Sequence, residues 1–214
     1  MSTLVSRHSI RRAVSVAVLL LAVSLARTGG VGQSADANAP RAGTTASAPF
    51  DRLFIDMMVP HHLGAVAMAR VALSRAQHAQ IKRLARSIIT AQNQEISQMK
   101  RWRAAWYGSA ATPPVDRMPM LPGLSIGMSD MGGDVARLKT ATPFDKAFIA
   151  AMMPHHQLAI AAAKLELAHG SHSQLKALAL AIIEDQAREL GLMTAYSELW
   201  YATSTMPGMN GMRY

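Results

Sequence analysis

Two segments of the chain carry residues whose types and spacing could do chemistry. Met57-Met58-Val59-Pro60-His61-His62 recurs as Ala151-Met152-Met153-Pro154-His155-His156. Imidazole is a ligand for copper, zinc, iron and nickel, whereas a thioether selects soft ions, above all Cu(I). The chain has no cysteine, so it has neither disulfides nor thiolate metal sites, and any ligation falls to His and Met. Methionine also forms no disulfide in an oxidising compartment. A His/Met set without thiolate reads as copper first, with zinc or iron as the lesser options.

On a helix, residues four or seven apart share a face. Asp51, Met58 and His62 form one stripe, and Met57, His61 and Met68 form the stripe beside it. Asp145, Met152 and His156 repeat the first stripe, while Ala151 and Ala162 thin the second. One helix later come Gln92, Glu95 and Met99, repeated as Gln186, Glu189 and Met193. Antiparallel pairing about a turn near residue 76 or 77 sets His61 and His62 level with Gln92 and Met58 level with Glu95, with Met99 a turn further on. The candidate metal ligands are therefore His61, His62, Met57, Met58, Glu95 and Met99, with His155, His156, Met152, Glu189 and Met193. His78 lies about 24 Å along the axis from the motif at the helical rise. It and His172 are expected to cap or pack the hairpin turns instead.

Each of these assignments has a plainer alternative. Helical methionines are common gap-fillers in bundles. Glu95 and Glu189 read equally as ligands or as inter-helix hydrogen-bond partners, and Asp51 and Asp145 as first-turn acids favoured by the helix dipole. Trp106 and Trp200 read as packing residues at the end of the bundle. Pro60 and Pro154 either kink their helices or restart them, since proline lacks the N–H and crowds the preceding turn. Further methionines fall outside the helical segments: Met118 and Met120, Met128 and Met131, and the tail Met206, Met209 and Met212. In Gly/Pro-rich stretches they are hard to explain as core, and they agree with a metal-handling role.

Helices must position these groups. Half of the chain is apolar but only 5% is aromatic, and Ala, Leu and Met lose little freedom on a helix. The pattern predicts helices over Phe50 to about Arg75, His78 to Tyr107, Pro143 to about Ala168, and from a Ser171/Gln174 capping box to near Tyr201. Gly108 is the expected stop of the second. The connection 108–141 is rich in Pro and Gly, with a short helix around Val135 to Lys139. Sliding the chain by 94 residues aligns 50–107 with 144–201 without a gap, at 24 identities in 58 positions. A duplicated amphipathic hairpin (50–107 and 142–202) buries its two apolar stripes against each other, giving an all-α four-helix bundle with pseudo-twofold symmetry.

Before the bundle, Arg7, Arg11 and Arg12 precede an apolar run, Ala13 to Ala26, that ends in Ser24-Leu25-Ala26. This reads as a signal peptide over 1–26, its apolar run being short for a bilayer span. An uncleaved anchor is the lesser alternative. A flexible tether follows over 27–49, and a Met-rich tail closes the chain over 203–214. The expected location is periplasmic or secreted, without stable membrane insertion after signal cleavage. Lys and Arg outnumber Asp and Glu by 22 to 13, but the charge is spread along helices without the aromatic interleaving of nucleic-acid binders. The partners this chemistry allows are a metal ion and a copper-handling protein.

The pattern F-D-x-x-F-I-x-x-M-x-P-H-H, followed one helix later by Q-x-x-E-x-x-x-M, resembles the bacterial domain-of-unknown-function family three hundred and five. The resemblance covers nearly all of 50–201 and implies a ferritin-like fold, export and, for some members, copper binding and resistance. It implies His61, His62, Met58, Glu95 and Met99 as functional residues, with His155, His156, Met152, Glu189 and Met193. Ala150 and Ala151 depart from Asp56 and Met57 of the first repeat, which sets the two hairpins apart.

The leading functional expectation is an exported protein that sequesters or hands on copper. A ferritin-like oxidoreductase is the second. Di-iron bundles need a Glu from each of two helices and a Glu-x-x-His from each of the others; the chain has one such motif, Glu166-x-x-His169, whose counterparts in the other repeat are Ala72 and Arg75. A helical interaction domain without metal is the third.

Overall fold

In a computed structural model that describes residues 49–124 and 131–201, the elements among the described residues are all helical. Helix α1 spans Phe50–Arg75, α2 Ala79–Tyr107, α3 Met131–Thr140, α4 Phe144–His169 and α5 Ser173–Tyr201, with a single 3₁₀ turn at Val115–Arg117. The expected signal peptide, the tether and the Met-rich tail lie outside the described residues. The long helices pair as hairpins, α1 with α2 and α4 with α5, and α1 packs on α4 while α2 and α5 hardly touch. This is the four-helix bundle of two tandem hairpins.

Helices α1 and α4 run unbroken through Pro60 and Pro154. Neither proline restarts its helix, so Met58 and His62 keep their one-turn spacing. Gly108 ends α2 in the left-handed conformation, φ 77°, with its N–H on the Ala104 carbonyl at 3.0 Å, a position that suits a residue without Cβ. Pro143, expected at the first helical position, is the N-cap of α4 itself.

The hairpin turns are capped across the bundle. Asp51, at the start of α1, accepts the backbone N–H groups of Ser171 (3.0 Å) and His172 (2.9 Å) ahead of α5. Asp145, at the start of α4, accepts those of Gln77 (3.0 Å) and His78 (2.8 Å) ahead of α2. The Ser171/Gln174 capping box does not form: Gln174 takes the Ser173 hydroxyl instead. An ionised carboxylate is the stronger acceptor for the two N–H groups. Each aspartate also meets a turn histidine, Asp145 the His78 Nδ1 at 2.6 Å and Asp51 the His172 Nδ1 at 3.2 Å, rather than the Pro-His-His pairs, so their place on the ligand stripe is a coincidence of period. His78 stacks on Trp200 and His172 on Trp106, both with ring centroids 3.7 Å apart, so the turn histidines lock each hairpin's turn to the other hairpin's end.

Arg75 ties the long connection down, donating to the Leu138 (2.7 Å) and Ala141 (3.0 Å) carbonyls at the end of α3. Met118 fills the core at 6% exposure, against the expectation that this loop has no core to fill, while Met120 is half exposed. Met128, Met206, Met209 and Met212 lie outside the described residues.

Two apolar clusters fill the bundle. One gathers Phe54, Met57, Met58 and Met99 with Leu158 and Ile182. The other gathers Met68, Phe148, Met152 and Met193 with Ile81 and Ile88. Between them lies a buried polar layer: His61, His62, Gln92 and Glu95 from one hairpin, His155, His156 and Gln186 from the other.

Candidate metal centre

The layer is built from the middle of each long helix. His61 and His62 follow Pro60 on α1, His155 and His156 follow Pro154 on α4, and all four are fully buried. Adjacent positions on a helix point about 100° apart, so each pair divides its work. One histidine turns to its own hairpin: His62 Nε2 lies 2.7 Å from the Glu95 carboxylate, and His156 Nε2 lies 2.7 Å from that of Glu189. The second contact is an aligned hydrogen bond, whereas the first has the distance without the direction. The other histidine turns to the opposite hairpin. His61 and His155 face each other across the α1–α4 seam with ring centroids 3.7 Å apart and planes 33° apart.

The expected register needs one adjustment. Antiparallel spacing sets Glu95 level with Met58, yet its carboxylate meets His62, one turn away. A long helical side chain leans toward its helix N-terminus, which carries the Glu95 carboxylate along α2 toward the level of His62.

Burial without partners dominates the chemistry. Neither ring nitrogen of His61 or His155 has a hydrogen bond, nor do the side-chain amides of Gln92 and Gln186. Desolvation is the largest cause that holds His61 and His155 well below the usual imidazole pKa, and the neighbouring histidines add to it. The backbone of each faces the other's ring and offsets a little of this without an aligned hydrogen bond. Both are therefore neutral near pH 7 and carry a lone pair, the state in which imidazole ligates. A buried polar group without a partner costs about 1–3 kcal/mol, and several of them together form the kind of deficit that a ligand relieves.

The methionines border this layer. Met57, Met58 and Met99 sit in the cluster on one side and Met152 and Met193 in the cluster on the other, all fully buried. The donor set is thus imidazole, carboxylate and thioether without thiolate, which fits copper. Among the described residues, no three His, Asp or Glu side chains already converge as a metal cage.

Sequence reasoning missed the contact between His61 and His155. The signal for it was the gapless duplication, since residues beside a pseudo-twofold axis meet their own counterparts. It also missed a buried ion pair in the first hairpin, where Arg103 Nε and Nη2 donate to Asp56 at 2.5 and 3.1 Å. The repeat has Ala150 and Ser197 there, so no pair forms in the second hairpin. Glu166 is fully buried at the far end of α4, beside Asp51 and away from the histidine layer. Burial, then the charge of Asp51, raises its pKa to about 8.

The sequence matches the DUF305 family, described as a domain of unknown function, over residues 51–197. The chain belongs to the DUF305 family. Among solved structures it is similar to CopM in a Cu(I)-bound form, at 36% identity over 71% of this chain and 97% of that one, with a TM-score of 0.58. A Cu(II)-bound form of CopM aligns at 34% identity over the same shares, with a TM-score of 0.60. A DUF305 protein of Streptomyces coelicolor, described as a candidate secreted protein, aligns at 25% identity over 69% of this chain and 91% of that one, with a TM-score of 0.59. No curated protein matches.

Proposed function

We propose that this DUF305 protein binds copper in the buried layer at the middle of its bundle, as an exported sequestering or transfer protein. The observation that carries the reading is the burial of His61 and His155, ring against ring, with all four ring nitrogens unpartnered. A packing role alone leaves those nitrogens without compensation. The ligands come from His61, His62, Met57, Met58, Glu95 and Met99 of the first hairpin and His155, His156, Met152, Glu189 and Met193 of the second. Because the central rings touch, the two hairpins form one shared centre. Ring rotation and approach of the methionine sulfurs complete the coordination. Likeness to CopM, solved with Cu(I) and Cu(II), supports copper as the metal.

Export rests on the sequence of residues 1–26 and on the Streptomyces coelicolor relative. Among the described residues no helix is long and apolar enough to cross a membrane.

The test is anaerobic titration with Cu(I), beside Cu(II), Zn(II) and Fe(II), of wild type and of the His61→Ala/His62→Ala and His155→Ala/His156→Ala variants. Copper is expected to bind stoichiometrically to wild type, and each double variant to weaken the whole centre. Binding indifferent to both substitutions would sink the proposal.

A further inference from the structure

A centre with fully buried histidines needs a way in. Three sides of the bundle are closed: α1 packs on α2, α4 on α5, and α1 on α4. The fourth side, between α2 and α5, is barely joined and holds a cavity of about 440 Å³. Its walls carry Arg83, Ser87 and Ala91 from α2 with Asp185, Arg188 and Glu189 from α5. Glu189 thus has two faces, lining the cavity while its carboxylate holds His156 Nε2 at 2.7 Å. The two carboxylates of the layer are almost equally covered, 11% exposed at Glu95 and 12% at Glu189, and it is Glu189 that lines the cavity.

We propose that this cavity is the port through which a metal ion reaches the centre, and that Glu189 is the first side chain to take it. The inference rests on the copper-binding reading above. Its physical basis is that a hydrated cation loses water stepwise only where polar groups replace it. The cavity supplies oxygen groups of this kind at Ser87, Asp185 and Glu189, whereas the two apolar clusters do not. A carboxylate that already touches an imidazole can hold an arriving ion and pass it to that imidazole by rotating its own side chain.

The duplication makes the port one-sided. Positions Arg83, Ser87 and Arg188 correspond to Ala177, Ala181 and Gln94 in the other repeat. The Glu189 mouth therefore carries two arginines that the counterpart at Glu95 lacks, while Ala91 and Asp185, each the other's counterpart, line the cavity together. Arg188 is paired with Asp185 within α5, which leaves the mouth less repulsive to a cation than two free guanidinium groups would make it.

The experiment measures the rate of copper uptake by the whole chain. Cu(I) alone is mixed anaerobically with protein, aliquots are quenched with excess chelator at fixed times, and protein-bound copper is counted. Ser87→Trp covers the mouth from an exposed position, and Ala181→Trp is the matching change on the other half of the seam. Ser87→Trp is expected to slow loading by about ten-fold, as an added steric gate slows association, with the final copper content unchanged. Ala181→Trp is expected to load at the wild-type rate, and Arg83→Ala, which opens the mouth, to load faster. Glu189→Gln is expected to slow loading more than Glu95→Gln. Wild-type rates in Ser87→Trp, or equal slowing by both tryptophans, overturns the port while leaving the copper centre standing. A wild-type protein that takes up no copper overturns both.

Discussion

His61 and His155 meet ring to ring, 3.7 Å between centroids, at the point where α1 and α4 cross the middle of the bundle. The relationship links two halves of a duplicated chain through the residues that distinguish the repeat. It also predicts a conflict between stability and function. Replacing His61 with Leu removes an unsatisfied buried imidazole, so the metal-free protein should gain about 1–2 kcal/mol. Chemical denaturation checks the gain, and copper titration of the same variant should show weakened binding.

Buried groups at two levels give opposite pH slopes. Glu166 has its folded-state pKa raised from 4.5 to about 8. The folded protein thus holds a proton that the unfolded chain gives up, and its contribution to stability falls as pH rises from 4.5 to 8. His61 and His155 are depressed below 6.5, so the stability linked to them is present above 6.5 and is lost as pH falls through their folded values. Glu166→Gln should flatten the alkaline arm of a stability–pH curve, and His61→Leu/His155→Leu the acid arm.

The Asp56–Arg103 pair is buried, both residues at 6% exposure. Breaking it from one side, by Asp56→Ala or Arg103→Ser, strands the other charge and should cost about 3–5 kcal/mol. Installing both residues of the second repeat together should cost less than either change alone. Urea denaturation of the three variants measures the difference.

The crossed caps predict where local opening appears. Asp51→Ala should expose the Ser171 and His172 amides to hydrogen exchange, and Asp145→Ala those of Gln77 and His78. Each should cost about 1–2 kcal/mol, in the upper range for a lost cap. Exchange confined to the hairpin that carries the substitution would refute the crossed arrangement.

Helix bounds and the hairpin turns were legible because they follow from local period and turn chemistry, as Phe50–Arg75 and Gly108 show. The pairing of His62 with Glu95, by contrast, sits one turn from the register the spacing gives. Contacts between hairpins were not legible residue by residue. Asp51 looked like a ligand-stripe acid or a dipole-favoured one, and it caps a turn 120 residues away. Met118 looked like a loop methionine, and it fills the core. In each case the deciding partner lies far off in sequence, where no periodicity reaches. Glu166 carries no such signal either, since its burial depends on how the α4 end meets the α1 start.

X-ray absorption of the Cu(I)-loaded protein tests the central claim most directly. A copper ion held by this layer should show imidazole scattering together with a thioether sulfur shell, and His61→Leu/His155→Leu should lose imidazole scattering. A shell of oxygen alone, or spectra unchanged by replacing both central histidines, would contradict a copper centre at the meeting point of the two hairpins.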